Sequence, residues 1–135
     1  MIIGIGFDLI DLDRIKNLLE RNNSDLKKLF FTDNEGKQFE KLKNEKRKIE
    51  WVAGRIAAKE SFAKAVGTGF AKNVGFQDIE IISNSLGKPE VKYLKSIEMI
   101  FPEYQQVDFL LTITHSQQSA GAVVVIQGLP FSKFF

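Results

Sequence analysis

Five residues in two short segments could do chemistry together. In MIIGIGFDLIDLDRI, Asp8 closes a strip in which alternate positions are Gly4 and Gly6. Asp and Gly are both depleted in strands, so a bare strip tipped by an acid calls for a reason. The second segment, WVAGRIAAKESFAKAVG, carries Arg55, Lys59, Glu60 and Lys64. At about 100° per residue, Arg55 and Lys59 share one helical stripe, while Glu60 and Lys64 share another about 100–140° away. Taken alone, such charges read as i,i+4 ion pairs on a solvated helix, and Asp8 reads as a strand-end cap on the helix that follows. Convergence of Asp8 and Glu60 would mean something else. Mg²⁺ is typically held by one or two carboxylates, with water and phosphate oxygens filling the octahedron, and Arg55, Lys59 and Lys64 would suit the phosphates.

Two further features carry weaker signals. His115 is the only histidine. It follows Phe109, Leu111 and Ile113 on one strand face, which suggests a residue closing off the core, yet its place at a hairpin entrance before Ser116 suits an anion contact. The turn SLGKP offers flexible Gly87, cationic Lys88 and rigid Pro89, equally an edge turn or a phosphate-side loop.

Elements must hold these groups in place. Residues 2–8 alternate as a strand, with Ile3, Ile5, Phe7 and Leu9 expected on the core face and Gly4, Gly6 and Asp8 opposite. Asp11 or Asp13 caps a helix with apolar Leu12, Ile15, Leu18 and Leu19, ending near Asn22 and Asn23, and Ser24 caps the short piece SDLKKLF. Thr32 and Glu35 form a capping box for a helix running to about Leu42. KNEKRK is a turn or a helix extension leading into a helix over 49–66, which Gly67 stops. A strand over 78–83, the turn 84–87 and a short return strand held to an edge by Pro89 come next. The pattern then predicts a helix over 92–101 stopped by Pro102, strands over 107–114 and 120–127 joined by the hairpin HSQQS, and a short apolar tail, GLPFSKFF. The sum is one domain over residues 1–135 of α+β class, a small, mainly antiparallel sheet with helices packed on one face.

Composition narrows the function classes. With 44% hydrophobic and 27% charged residues the chain is of ordinary globular type, and 12 Phe against 2 Tyr and 1 Trp suit a packed core better than a base-stacking platform. No cysteine is present, which excludes disulfides and thiolate zinc sites. A net charge of +2 with pI near 8.8 falls short of the field of a dedicated nucleic-acid binder. Asp8, Asp11 and Asp13 break any leader-like apolar stretch, and no uncharged run approaches the ~18 residues of a membrane span, so a cytoplasmic protein without membrane attachment is expected.

GIGFDLIDLDRI, FTDNE, WVAGRIAAKESFAKAVGTG, DIEIISNSLGKPEV and LTITHSQQSAGAVVVI, taken together and in this order, resemble the holo-(acyl-carrier-protein) synthases. These are the short type of the 4′-phosphopantetheinyl transferase family. The resemblance implies that family's fold and transfer of the 4′-phosphopantetheine arm of coenzyme A to a serine of apo acyl carrier protein. It also implies Mg²⁺, release of adenosine 3′,5′-bisphosphate, a role in fatty acid and lipid synthesis, and a homotrimer with active clefts between subunits. By the same resemblance, Asp8 and Glu60 match the metal carboxylates and Lys64 the active-site lysine beside the pyrophosphate. Arg55, Lys59, His115 and the adjoining Ser116 fall with the coenzyme A site, and Gly87, Lys88 and Pro89 with the loop near its adenosine end. Glu60, directly or through a metal-bound water, is the candidate base, and Lys64 the group that stabilises or protonates the leaving group. Arg14, Leu18, Arg21, Lys27 and Lys28 match the carrier-docking surface, with charge diluted here by Asp11, Asp13, Glu20 and Asp25. Two other classes share parts of the pattern: a Mg²⁺-dependent phosphohydrolase, and a non-catalytic module binding an acidic partner.

Overall fold

The computed structural model describes residues 1–21 and 23–131. Asn22, at the expected end of the first helix, and residues 132–135 of the tail lie outside the described residues, as do the side chains of Asn23 and Ser24 and hence the expected Ser24 cap. In chain order the elements are β1 (Ile2–Asp11), α1 (Leu12–Arg21), α2 (Asn23–Phe30), α3 (Asp33–Glu40), α4 (Glu45–Val66), β2 (Ile79–Ser83), β3 (Pro89–Tyr93), β4 (Tyr104–His115) and β5 (Ser119–Pro130). Strands β1, β5 and β4 form an antiparallel sheet in that order, and β2 and β3 form a separate antiparallel hairpin. The α+β class holds, with α4 laid across β1 and β5 and flanked by α1 and α3. No described helix is long and apolar enough to cross a membrane.

Local chemistry sets the helix limits. The Thr32 hydroxyl accepts from Glu35 N–H at 3.2 Å and the Glu35 carboxylate accepts from Thr32 N–H at 2.9 Å, the expected capping box. That helix ends at Glu40, two residues before expectation. The stretch KNEKRK splits into a cap and a first helical turn: Asn44 Oδ1 accepts from Arg47 N–H, and α4 starts at Glu45. Gly67, at φ 98°, ends it in the left-handed conformation that glycine adopts without strain. Asp11 closes β1 and Asp13 lies within the first turn of α1, where a carboxylate favours the helix dipole.

Two expectations are corrected. The alternation of β1 is present but its faces are reversed: Ile5, Phe7 and Leu9 are 68%, 57% and 61% exposed, whereas the Gly4–Gly6 strip faces α4. Helix backbone occupies the space that side chains would need. A Cβ at Gly6 would lie 1.9 Å from the Ser61 carbonyl oxygen, and one at Gly4 2.1 Å from that of Ala65. Second, 92–101 is not a helix. Lys92 and Tyr93 pair with Glu80 and Ile79 in the β2–β3 hairpin, leaving only a 3₁₀ turn at Ile97–Met99. Cross-strand pairing prevails over a helical pattern that had no N-terminal cap.

Gly6→Ala should therefore cost at least ~3 kcal/mol in urea unfolding or prevent folding, because the clash is with backbone. Gly36→Ala, inside α3 with nothing within 4 Å of the added methyl, should stabilise by ~0.5–1 kcal/mol. Equal effects of the two would contradict this account of the helix–sheet contact.

Candidate active site

The close approach of α4 to β1 brings three of the expected groups together. Asp8 continues the glycine face of β1, and Lys64 Nζ donates to its Oδ1 at 2.9 Å and to the Phe7 carbonyl at 3.1 Å. Glu60 lies within hydrogen-bonding reach of Asp8. Its carboxyl is pushed up to about 7, first by burial, then by the hydrogen bond and charge of Asp8, while Arg14 and Lys64 pull it down. Two acids that crowd one proton form a site a cation would relieve. Both present hard oxygen donors, and no group of three or more ligating side chains occurs among the described residues. The pair therefore fits Mg²⁺, which leaves most of its sphere to water and phosphate oxygens. Lys64 bonds across to β1 and not along the helix to Glu60, so the simple i,i+4 pairing is not what α4 displays.

A second cluster lies on the other side of α4. Arg47, Trp51 and Arg55 fall at i, i+4 and i+8 and line a cavity of about 400 Å³ with Ser83, Gly87 and Pro89. The Arg55 guanidinium sits 4.8 Å from the Trp51 ring centroid, and its Nη2 donates to Ser83 Oγ at 3.0 Å. Among the described residues its buried Nε has no partner. Burial lowers its pKa to about 10, with Arg47 adding to the depression, so the group remains cationic at neutral pH. Gly87, at φ 84°, turns the loop, and Asn84 Oδ1 accepts from the N–H groups of Leu86 and Lys88. Sequence reasoning passed over Arg47, Trp51 and Asn84; the helical spacing of the first two around Arg55 was the available signal.

Lys59 is the clear correction among the site residues. It and Glu35 are 0% exposed and 2.6 Å apart, and Lys59 Nζ also donates to the carbonyls of Phe30 and Phe76 at 2.7 Å. All three ammonium protons are committed. Burial pushes Glu35 up and Lys59 down, each opposed by the partner's charge. Lys59 is thus a brace joining α4 to the end of α2, to α3 and to the segment before β2, and it has no donor left for a ligand.

His115 does not close off the core; it is substantially exposed, with Glu50 as its charged neighbour. Ser116 Oγ accepts from Gln118 and Ser119 N–H and so shapes the hairpin. Of the expected docking residues, Arg14, Arg21 and Lys28 are exposed, Leu18 leans on the core, and Lys27 is held by Glu40 at 2.6 Å.

The family model of the 4′-phosphopantetheinyl transferase superfamily matches residues 4–124. The holo-[acyl-carrier-protein] synthase of Listeria welshimeri is 46% identical over 128 residues, covering 94% of this chain and 99% of the relative. Among solved structures, a holo-(acyl-carrier-protein) synthase from Bacillus anthracis in complex with CoA (3′,5′-ADP) superposes with a TM-score of 0.80 at 40% identity, covering 95% of this chain and 98% of that one. The Helicobacter pylori holo-[acyl-carrier-protein] synthase in complex with coenzyme A gives 0.77 at 27% identity, covering 91% and 99%.

Two measurements test the geometry. Without metal, Glu60 titrates near 4.5 when unfolded and about 7 when folded, so the folded state binds the proton more tightly. That contribution is full below about 4.5 and is lost as pH rises through 7. The metal-free melting temperature should fall over this window, Glu60→Gln should flatten the fall, and Mg²⁺ should reverse it in the wild type. Lys59→Met should cost ~3–5 kcal/mol by leaving Glu35 buried without its cation; a normal urea midpoint with a raised KM for coenzyme A would return Lys59 to the binding site.

Proposed function

Because the chain belongs to the 4′-phosphopantetheinyl transferase superfamily, in its holo-[acyl-carrier-protein] synthase branch, we propose that it transfers the phosphopantetheine arm of coenzyme A to a serine of apo acyl carrier protein in a Mg²⁺-dependent reaction. The observation that carries this is the juxtaposition of Asp8 and Glu60 with Lys64 beside them. Family membership removes the support for a non-catalytic module.

Asp8 and Glu60 would hold Mg²⁺, which when bound supplies positive charge against the diphosphate of coenzyme A. The serine oxygen attacks the phosphorus bearing the pantetheine arm. The bond from that phosphorus to the bridging oxygen breaks, and adenosine 3′,5′-bisphosphate leaves with the electron pair. Glu60 is the carboxylate that takes the serine proton. Lys64, half-exposed and anchored on Phe7 and Asp8, sets an ammonium where negative charge develops on the leaving phosphate. Arg55, beside Trp51, Gly87 and Pro89 and with its Nε unpartnered among the described residues, offers the nucleotide-side contacts, with Lys88 between the two loop residues and His115 two positions past Ile113 of the cavity lining.

The carrier would approach over α1, where Arg14, near enough to Glu60 to influence its titration, adjoins the acid pair. Arg21 and Lys28 extend that basic surface, whereas Lys27 is already spent on Glu40. We also propose a homotrimer with shared active clefts. Two features support it: the exposed apolar face of β1, and the location of the Arg55 cavity across α4 from the acid pair, so that a neighbour's cavity can complete the cleft.

Purified protein with coenzyme A and apo carrier should add the mass of one phosphopantetheine arm to the carrier, and a chelator should abolish the gain. Asp8→Ala and Glu60→Ala should each lower kcat/KM at least ~100-fold without loss of fold. Near-normal turnover of either at limiting Mg²⁺ would remove that residue from the mechanism. Hydrolysis of coenzyme A with an unmodified carrier would favour the phosphohydrolase.

A further inference from the structure

Glu50 is a carboxylate with no role in the chemistry above. It sits in the second turn of α4 with its side chain only 13% exposed, and its Oε2 lies 3.3 Å from Nδ1 of His115, whose side chain is 43% exposed. Among the described residues His115 is the only cationic or titratable nitrogen-bearing side chain within 4 Å of it. The contact follows from the register of helix on strand. One helical turn after Glu50 comes Gly54, and a Cβ there would stand 3.0 Å from Ile113 Cγ2, so the Ile113 side chain of β4 packs on α4 at the glycine. His115 is the next residue on that face of β4, and the hairpin beyond it is fixed by the Ser116 hydroxyl. Ile113 in turn lines the Arg55 cavity, which places the ring beyond the rim of that cavity.

We propose that Glu50 is a positioning residue: its carboxylate accepts the Nδ1–H of His115, fixing the ring so that Nε2 is the nitrogen presented to the nucleotide portion of bound coenzyme A. This rests on the transferase reading for the identity of the ligand. With Nδ1 committed, Nε2 of the neutral ring accepts from a ligand N–H or O–H. When the ring carries a second proton, Nε2 donates to a phosphate oxygen and the Glu50 charge offsets the added proton. A free imidazole favours the opposite tautomer, so the arrangement has a signature of its own.

Since His115 is the only histidine, long-range ¹H–¹⁵N correlation on labelled protein reports this one ring. Wild type should show the Nδ1–H tautomer of the neutral ring; Glu50→Ala should shift it to Nε2–H, and Glu50→Gln, which keeps an acceptor oxygen, should retain it. In the carrier assay Glu50→Ala should raise KM for coenzyme A about fivefold to tenfold with kcat within about twofold, Glu50→Gln should restore most of the loss, and Glu50→Ala should have no further effect in a His115→Ala background. An Nε2–H tautomer in wild type overturns the clamp, as does a Glu50→Ala effect that persists undiminished without His115. Failure of wild type to bind coenzyme A by calorimetry would overturn the transferase reading and the role of Nε2, while the tautomer measurement tests the Glu50–His115 contact without any ligand.

Discussion

The geometry of the acid pair depends on one contact, the backbone of α4 resting directly on β1. β1 carries no side chain there and α4 only small ones: Gly4 and Gly6 face the carbonyls of Ala65 and Ser61, and the buried Ser61 hydroxyl donates to Ala57 O at 2.7 Å and to Ala122 O at 2.8 Å. Side chains between a helix and a sheet normally hold the two backbones well apart, and a carboxylate on the strand then cannot meet one on the helix. Here the gap is closed first, and Asp8, two residues past Gly6 on the same face, arrives beside Glu60 and Lys64. The polar groups make no apolar core of their own; their proximity is inherited from what is missing next to them.

The same helix gives its four central charges three different fates. Lys59 is fully enclosed and satisfied by Glu35, Phe30 and Phe76. Arg55 is nearly buried but keeps one N–H unmatched, and Glu60 and Lys64 reach the surface. Desolvating an ammonium is tolerable only where partners replace all of its water, which Glu35 does in part. Glu35 itself meets two further demands, accepting from Thr32 and Ile81 N–H as well as from Lys59. A capping residue has thereby become the counterion that locks α3, β2 and α4 together.

What could be read along the chain follows the range of the interactions involved. The Thr32–Glu35 box, the Gly67 stop and the strands β4 and β5 are local and were legible. Which face of β1 points inward was not, because hydrophobicity alone assigns Ile5, Phe7 and Leu9 to a core that α4 reaches only through glycine. The supposed helix over 92–101 failed for a related reason: its first residues pair with β2, more than ten positions away. Within the site, residue types and resemblance pointed to Asp8, Glu60 and Lys64, but Lys59 and Lys64 differ only in what distant segments bring to them. Five positions along one helix do not distinguish a core brace from a ligand contact.

Reversal of the β1 faces also bears on assembly. Across the sheet, Ile5 pairs with Val125 and Val125 with Leu110, while Phe7 pairs with Val123 and Val123 with Thr112, so the outward surface is mainly apolar over three strands. Chains seldom leave such a face in water without a use for it. The acid pair and the Arg55 cavity meanwhile stand on opposite flanks of α4, too far round the helix to grip one extended nucleotide from the same side. Both features have one remedy. A neighbouring copy that covers the sheet removes apolar surface from water and can set its own cavity against these carboxylates, so the packing that stabilises the proposed trimer is also what would complete the cleft.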